Sequence, residues 1–242
     1  MNGRFVKLLS AKEFKTLQLA LDLEMKTSTA QGLGMNVKQS DPVTSDMEDI
    51  LWEKGILGSH SPRSLLRTVF WLIGVNYGIR GGEEQRKLTQ RNFSFGEDDQ
   101  GSFLLFKETV SKTHQGGLKH KGAKPREAKC YQNEEPHKCL VNLFRKYINL
   151  CAPEMLQNGL YLRPLASISD QSKLWYAKQY VGHNTLKRMV SDMMTEAGLG
   201  DKGHFTNHSL RASTATRLFR GGVDEQLIAG QTGHRSLKAL RV

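Results

Sequence analysis

Four basic side chains stand in short, distinctive contexts: Arg80 in Gly-Ile-Arg-Gly-Gly-Glu, His208 and Arg211 in Asn-His-Ser-Leu-Arg, and His234 in Thr-Gly-His-Arg-Ser. Chemistry on a phosphodiester without a metal must neutralise the charge that grows on the non-bridging oxygens, and two guanidiniums offer fixed, bidentate donors for that task. Arg80 and Arg211 fit the role. His208 and Arg211 lie three apart, so on a helix they share one face and can meet one anion together. Each residue alone has a plainer reading: a surface salt bridge for either arginine, helix capping for His208 with His204, a structural ring for His234. His204 and His208 also have the spacing of a zinc pair, but no third ligand of suitable spacing accompanies them, so no metal is expected. Gly117 and Gly122 bracket a loop of phosphate-binding length, yet Ala123-Lys124 stands where Lys-Ser/Thr is required, and no nucleotide or other cofactor is expected.

Such a cluster needs rigid supports. Ser61-Pro62 starts a helix with proline at its first position, and Leu65, Leu66, Val69, Phe70, Leu72 and Ile73 leave little of it polar, which predicts a buried helix. Gly78 ends it and so holds Arg80 at the end of a central element. Residues 91–131 lose helical period: Phe93 and Phe95, Phe103 to Phe106, and Cys130 to Gln132 read as short strands around an acidic turn (96–101) and a basic one (114–124). Helical spacing returns at Leu140, Val141, Phe144, Tyr147 and Ile148, and again at Leu186, Met189, Val190, Met193 and Met194. A helix from about His208 to Arg220 and a short one over 224–230 follow. Upstream, Ser10 and Glu13 form a capping box for a first helix over 10–26, and residues 27–43 have linker composition. Thr44 then caps an acidic turn, Asp46, Glu48 and Asp49, where the core domain is expected to begin.

With 242 residues, 38% of them hydrophobic, the chain can bury a sizeable core. Thirty-five Lys and Arg against 24 Asp and Glu give a formal charge of +11, which favours a polyanionic partner. The cysteines, Cys130, Cys139 and Cys151, match neither a zinc ribbon nor a redox pair and suggest a reducing compartment. The start has no apolar core for a signal peptide, and the best apolar run, Val69 to Val75, is too short to cross a bilayer; a soluble, intracellular protein without a membrane partner is expected.

In order and spacing, the arginine, His-x-x-Arg and Gly-His boxes resemble the catalytic domain of tyrosine recombinases. Leu-Trp-Glu-Lys-Gly-Ile-Leu-Gly (51–58), Thr-Val-Phe-Trp (68–71), Gly-Ile-Arg-Gly-Gly-Glu-Glu (78–84), Ser-Lys-Thr-His-Gln-Gly-Gly (111–117) and Val-Gly-His-Asn-Thr-Leu (181–186) are similar to Crypton-type recombinases. These are transposon-derived enzymes whose domain was also domesticated at the C-terminus of MYM-type zinc-finger and glutamine-rich regulatory proteins. The resemblance implies an α+β, mainly α fold with a small antiparallel sheet. It implies a site in which Arg80, His208, Arg211 and His234 surround one DNA phosphate, with Glu83 as a buttressing acid. Lys112 resembles the hairpin lysine that protonates the departing 5′ oxygen; Lys119 and Lys121 in the same turn are alternatives, and with Lys124 they would touch DNA.

The same resemblance implies a tyrosine nucleophile, a 3′-phosphotyrosyl link, and neither metal nor cofactor. By the family's spacing that tyrosine would fall just after Val242, and none of Tyr77, Tyr131, Tyr147, Tyr161, Tyr176 or Tyr180 takes its place. The expectation is a helix and linker over 1–43, remnant of a core-binding region, followed over 44–242 by a catalytic domain cut before its nucleophile, whether as a gene fragment or by true loss. The expected partner is double-stranded DNA, in the nucleus, with DNA-dependent homo-oligomers. Two rivals stand beside this reading: a domesticated, catalytically silent DNA- or chromatin-binding module of a transcriptional regulator, and an interaction scaffold that never contacts DNA.

Overall fold

The computed structural model describes residues 11–33, 39–108, 126–169 and 171–234. The chain divides into two compact units, 1–39 and 40–242. In the first unit a 3-10 turn, Lys12–Phe14, runs into helix α1 (Lys15–Ala30). Ser10, the predicted cap, lies outside the described residues. The helix continues past 26, and within its last turns the hydroxyls of Thr27 and Thr29 donate back to Leu23 O and Met25 O, at 2.9 and 2.8 Å. Leu17, Leu19, Leu21, Leu23 and Met25 are exposed.

In the second unit Asp41 grips His204 twice: its N–H donates to His204 O, and its carboxylate accepts from His204 N. Val43 N donates to Ser213 Oγ at 2.7 Å. Thr44 accepts from Met47 N and starts α2 (Ser45–Glu53), with Asp46 and Glu48 in the first turn facing the positive end of the helix dipole. Helix α3 (Pro62–Tyr77) begins with a reciprocal Ser61–Ser64 capping box and has proline in its first turn. It is buried along almost its whole length; Phe70 and Ile73 are fully inaccessible, and each contributes about 1.5–3 kcal/mol by leaving water. Gly78 ends it at φ +55°, where a side chain would be strained and its Cβ would also press on Thr232 at 3.0 Å.

After the short helix α4 (Glu83–Arg86), strands β1 (Phe93–Asp98), β2 (Gly101–Lys107) and β3 (Glu127–Tyr131) form an antiparallel sheet in chain order. Phe93 pairs with Phe106, and Leu104 with Cys130. Tyr77 from α3 donates to Leu104 O at 2.7 Å and stacks in tilted contacts with Phe93 and Phe106, which ties the sheet to the central helix. Helices α5 (Leu140–Asn149) and α6 (Pro153–Leu156) follow, then strands β4 (Leu162–Pro164) and β5 (Tyr176–Tyr180), an antiparallel pair that the sequence did not signal.

The apolar run from Leu186 to Met194 is two helices, α7 (His183–Lys187) and α8 (Met189–Glu196), where one was expected. Asn207 causes the break: its Nδ2 donates to Leu186 O at 2.7 Å and its Oδ1 accepts from Val190 N at 3.2 Å, so a side chain replaces ladder bonds at Arg188. Helix α9 (His208–Arg220) packs along α3 and bonds to it through Thr214 Oγ1 to Val75 O, 2.7 Å. Helix α10 (Glu225–Thr232), capped by Asp224, returns against α9. The architecture is therefore α+β, mainly α, with small antiparallel sheets.

Candidate functional site

The ends of α3, α9 and α10 converge. Past Gly78, Ile79 is buried and Arg80 half-buried, and the Arg80 N–H donates to the Glu84 carboxylate at 3.0 Å. Gly81 must lack a side chain because a Cβ there would lie 2.9 Å from His208 N, so the arginine turn rests directly on the start of α9. His208 is the first residue of that helix, and Arg211, one turn on, is buried at 6% exposure. Helix α10 ends at Gly233, φ +71°, and the N–H of His234 folds back to Ala229 O at 2.9 Å, which turns the imidazole toward α9. Arg211 Nε donates to His234 Nε2 at 3.4 Å, while His234 Nδ1 lies 2.6 Å from Thr232 Oγ1.

A further guanidinium closes the group. Arg126, just before β3, lies over the Phe106 ring at 5.2 Å and donates Nη1 to Gln231 O of α10 at 3.2 Å. Its Nε and Nη2, and Nη2 of Arg211, are buried without a hydrogen-bond partner among the described residues. Buried unpaired donors of this kind cost stability unless something accepts from them.

The electrostatics agree with that geometry. Burial first, then Arg80, pulls Arg211 down to about 10, with Glu84 and Glu108 opposing; it remains a cation at neutral pH. Burial and the guanidiniums of Arg211, Arg80 and Arg126 hold the His234 ring at about 4, so it is neutral under the same conditions. His208, open to solvent on one side, is lowered by partial burial and by Arg80 and Arg211, against Glu84. Arg126 is lowered by burial, with Glu108 and Glu84 opposing. Cations are thus crowded here, donors on Arg126 and Arg211 lack partners among the described residues, and a bound anion would relieve both the repulsion and the missing hydrogen bonds.

Of the residues singled out by sequence, Arg80, His208, Arg211 and His234 come together. Glu83 does not: it is exposed, pairs with Lys87 and Arg86, and its carboxylate is held below the usual range first by the Lys87 hydrogen bond. Its neighbour Glu84 faces the cluster. Lys112, Lys119, Lys121 and Lys124 lie outside the described residues. His204 is engaged with Asp41, and no group of three or more His, Cys, Asp or Glu among the described residues could hold a metal ion. Glu84 and Arg126 were missed. Arg126 follows a basic stretch that hides it, and its one legible sign is its place beside the alternating strand Glu127–Tyr131.

Residues 42–195 match the family model described as Domain of unknown function (DUF3504). Zinc finger MYM-type protein 2 of Homo sapiens is 28% identical over 65% of this chain, and Transcriptional regulator QRICH1 of Homo sapiens is 26% identical over 61%. The chain spans 13% and 20% of the lengths of these two relatives. Among solved structures, the XerH site-specific recombinase bound to its difH substrate superposes with a TM-score of 0.52 at 19% identity, over 84% of this chain and 50% of that one. The likeness is one of fold: the α+β, mainly α architecture described above is shared with such recombinases.

Proposed function

The chain belongs to the DUF3504 family, and on that premise we propose that it binds duplex DNA by seating one backbone phosphate among Arg80, His208, Arg211 and His234. The observation that carries this reading is the buried Arg211, whose Nη2 has no partner among the described residues and whose neighbours are two further guanidiniums. A phosphate oxygen there would accept the orphaned N–H, and imidazoles that are neutral in the empty site add no further positive charge to the crowded guanidiniums. The formal charge of +11 supplies the long-range attraction. In this reading a tyrosine hydroxyl attacks the seated phosphate, the bond to the 5′ oxygen breaks and that oxygen leaves as a hydroxyl, the guanidiniums stabilise the charge that develops, and the resulting 3′-phosphotyrosyl link conserves the bond energy. Glu84 takes the buttressing role that the family resemblance implied for Glu83, the first unit belongs to a DNA-clamping region, and the protein works in the nucleus as a Crypton-derived domain.

A fluorescence-anisotropy titration with a labelled duplex tests the binding. It should show weak, sequence-tolerant affinity that collapses with salt, at about −0.9 in log–log slope per neutralised phosphate. No binding at low salt would overturn the proposal in favour of the interaction scaffold. The kinship with Transcriptional regulator QRICH1 favours a second reading, a silent DNA-binding module. A denaturing gel of labelled, nicked duplex, run with the chain extended by a tyrosine-bearing helical tail after Val242, separates the two: a covalent band means transesterification, and binding without one means the silent module.

A further inference from the structure

The hydrogen bonds around His234 determine where its proton sits. Thr232 Oγ1 donates to Ile228 O at 2.6 Å, a carbonyl that can only accept, so the single hydroxyl proton is committed there. Toward His234 Nδ1, 2.6 Å away, the same oxygen must accept, and Nδ1 must carry a hydrogen. The other end of the ring agrees: Arg211 Nε can only donate, so His234 Nε2 presents a lone pair to it. Both contacts select one neutral tautomer, Nδ1–H. Thr232 is fully buried against the end of α3, where Gly78 leaves space for it, so this arrangement is built into the packing.

We propose that Thr232 is a positioning residue that locks His234 in the Nδ1–H tautomer, so that an oxyanion can be hydrogen-bonded by Nε2 only when the ring takes up a proton from solvent. This deepens the phosphate reading above and rests on it. An anion that displaces the Arg211 contact would meet a lone pair at Nε2. Uptake of one proton makes a new N–H at Nε2, turns the ring into an imidazolium that donates at both ends, and leaves the Thr232 bond intact. Among the described residues, the charged groups that act on the ring are Arg211 on α9, Arg80 in the turn after α3 and Arg126 before β3, with the carboxylates of Glu84 and Glu108 opposing at those guanidiniums. In their company the empty site keeps His234 neutral, and the anion's charge supplies the field that favours protonation. Linkage then fixes the sign: affinity for an oxyanion is highest at low pH and falls about tenfold per pH unit between the free and bound titration points of the ring, levelling above the bound one.

The test is nitrogen NMR on the full chain carrying ¹⁵N-histidine, with sulfate as the probe because it does not titrate between pH 5 and 8; loss of signals in His234→Gln assigns the ring. Near neutral pH without sulfate, His234 should show a protonated Nδ1 and a bare Nε2. Saturating sulfate should raise its midpoint from about 4 by one pH unit or more, and sulfate affinity should fall from the free midpoint up to the new one and level above it. Thr232→Val should let the ring take the Nε2–H form once sulfate displaces the Arg211 contact and so flatten the pH dependence, and Thr232→Ser should restore both the tautomer and the pH dependence, which a merely structural threonine would not do. An Nε2–H ring in the wild-type chain, or sulfate bound with pH-independent affinity, would overturn the tautomer lock while leaving the phosphate site standing. A locked Nδ1–H ring that no sulfate concentration perturbs would overturn the phosphate reading itself and with it the proton uptake.

Discussion

Arg67 on α3 and Arg211 on α9 are buried to the same degree, 5% and 6% exposed, yet their surroundings are opposite. Arg67 meets the Glu196 carboxylate at 2.7 Å, and Arg63 joins the same carboxylate from the solvent side. Arg211 meets a neutral imidazole, two further guanidiniums, and no acceptor for its Nη2 among the described residues. One arginine is a finished ion pair that fastens two helices. The other is an unfinished one, and in a fold whose remaining buried polar groups are largely paired, such a group marks the place where a ligand completes the structure.

The contrast can be broken in order of expected effect. Arg211→Met should weaken sulfate binding by about 10²-fold, since it removes buried, charge-assisted donors. Its unfolding temperature in chloride should hold or rise, because an unpaired buried cation is gone. Sulfate also stabilises folded proteins generally by exclusion, so the readout is the difference between wild type and variant in matched salts. A fall in stability as large as the loss of binding would make Arg211 a structural residue like Arg67.

Arg67→Met should do the reverse, lowering stability by about 1–3 kcal/mol in denaturant titration while sulfate binding persists; the range is kept modest because Glu196 is half-exposed. Acid separates the two regions further. The folded His234 ring titrates at about 4 against an ordinary 6.5, so the unfolded chain binds more protons between these values. The stability from keeping the ring neutral is complete above 6.5 and is lost as pH falls toward 4, with His208 adding in the same direction. Glu196 is held below 4.5 by Arg67, so its contribution is present above 4.5 and is lost only as pH falls below that value. Denaturation midpoints measured against pH should lose the upper acid limb in His234→Gln and the lower one in Arg67→Met. The smallest effect compares adjacent carboxylates: Glu83→Gln should leave sulfate binding unchanged, whereas Glu84→Gln should strengthen it a few-fold by removing a counter-charge.

Much of this was legible in the sequence. The α3 helix announces itself by its proline, its cap and its apolar length, and the four basic residues by boxes whose order resembles that of a known family, with spacing alone linking only His208 and Arg211. What escaped did so for local physical reasons. Glu83 and Glu84 are chemically identical, and which one faces the cluster depends on the rotation of a single helical turn, α4, after Gly82. The apolar period across 186–194 is helical throughout, and only the side chain of Asn207, distant in sequence, shows why it is two helices. Strand β4 is three residues long, too short for alternation to register. Arg126 sits among other basic residues, and its importance arises from Gln231 and Phe106, partners that no local pattern links to it.

The most direct measurement of the central claim is the salt dependence of duplex binding for the wild type and for the Arg80→Ala/Arg211→Ala double variant, read by anisotropy over the same salt series. If both guanidiniums serve one phosphate, the variant should stay folded, bind with modestly reduced affinity, and show a log–log slope shallower by about 0.9, the value of one lost phosphate contact. An unchanged slope with unchanged affinity would contradict the account, because the phosphate would then be held elsewhere and the unpaired guanidinium of Arg211 would have no part in binding DNA.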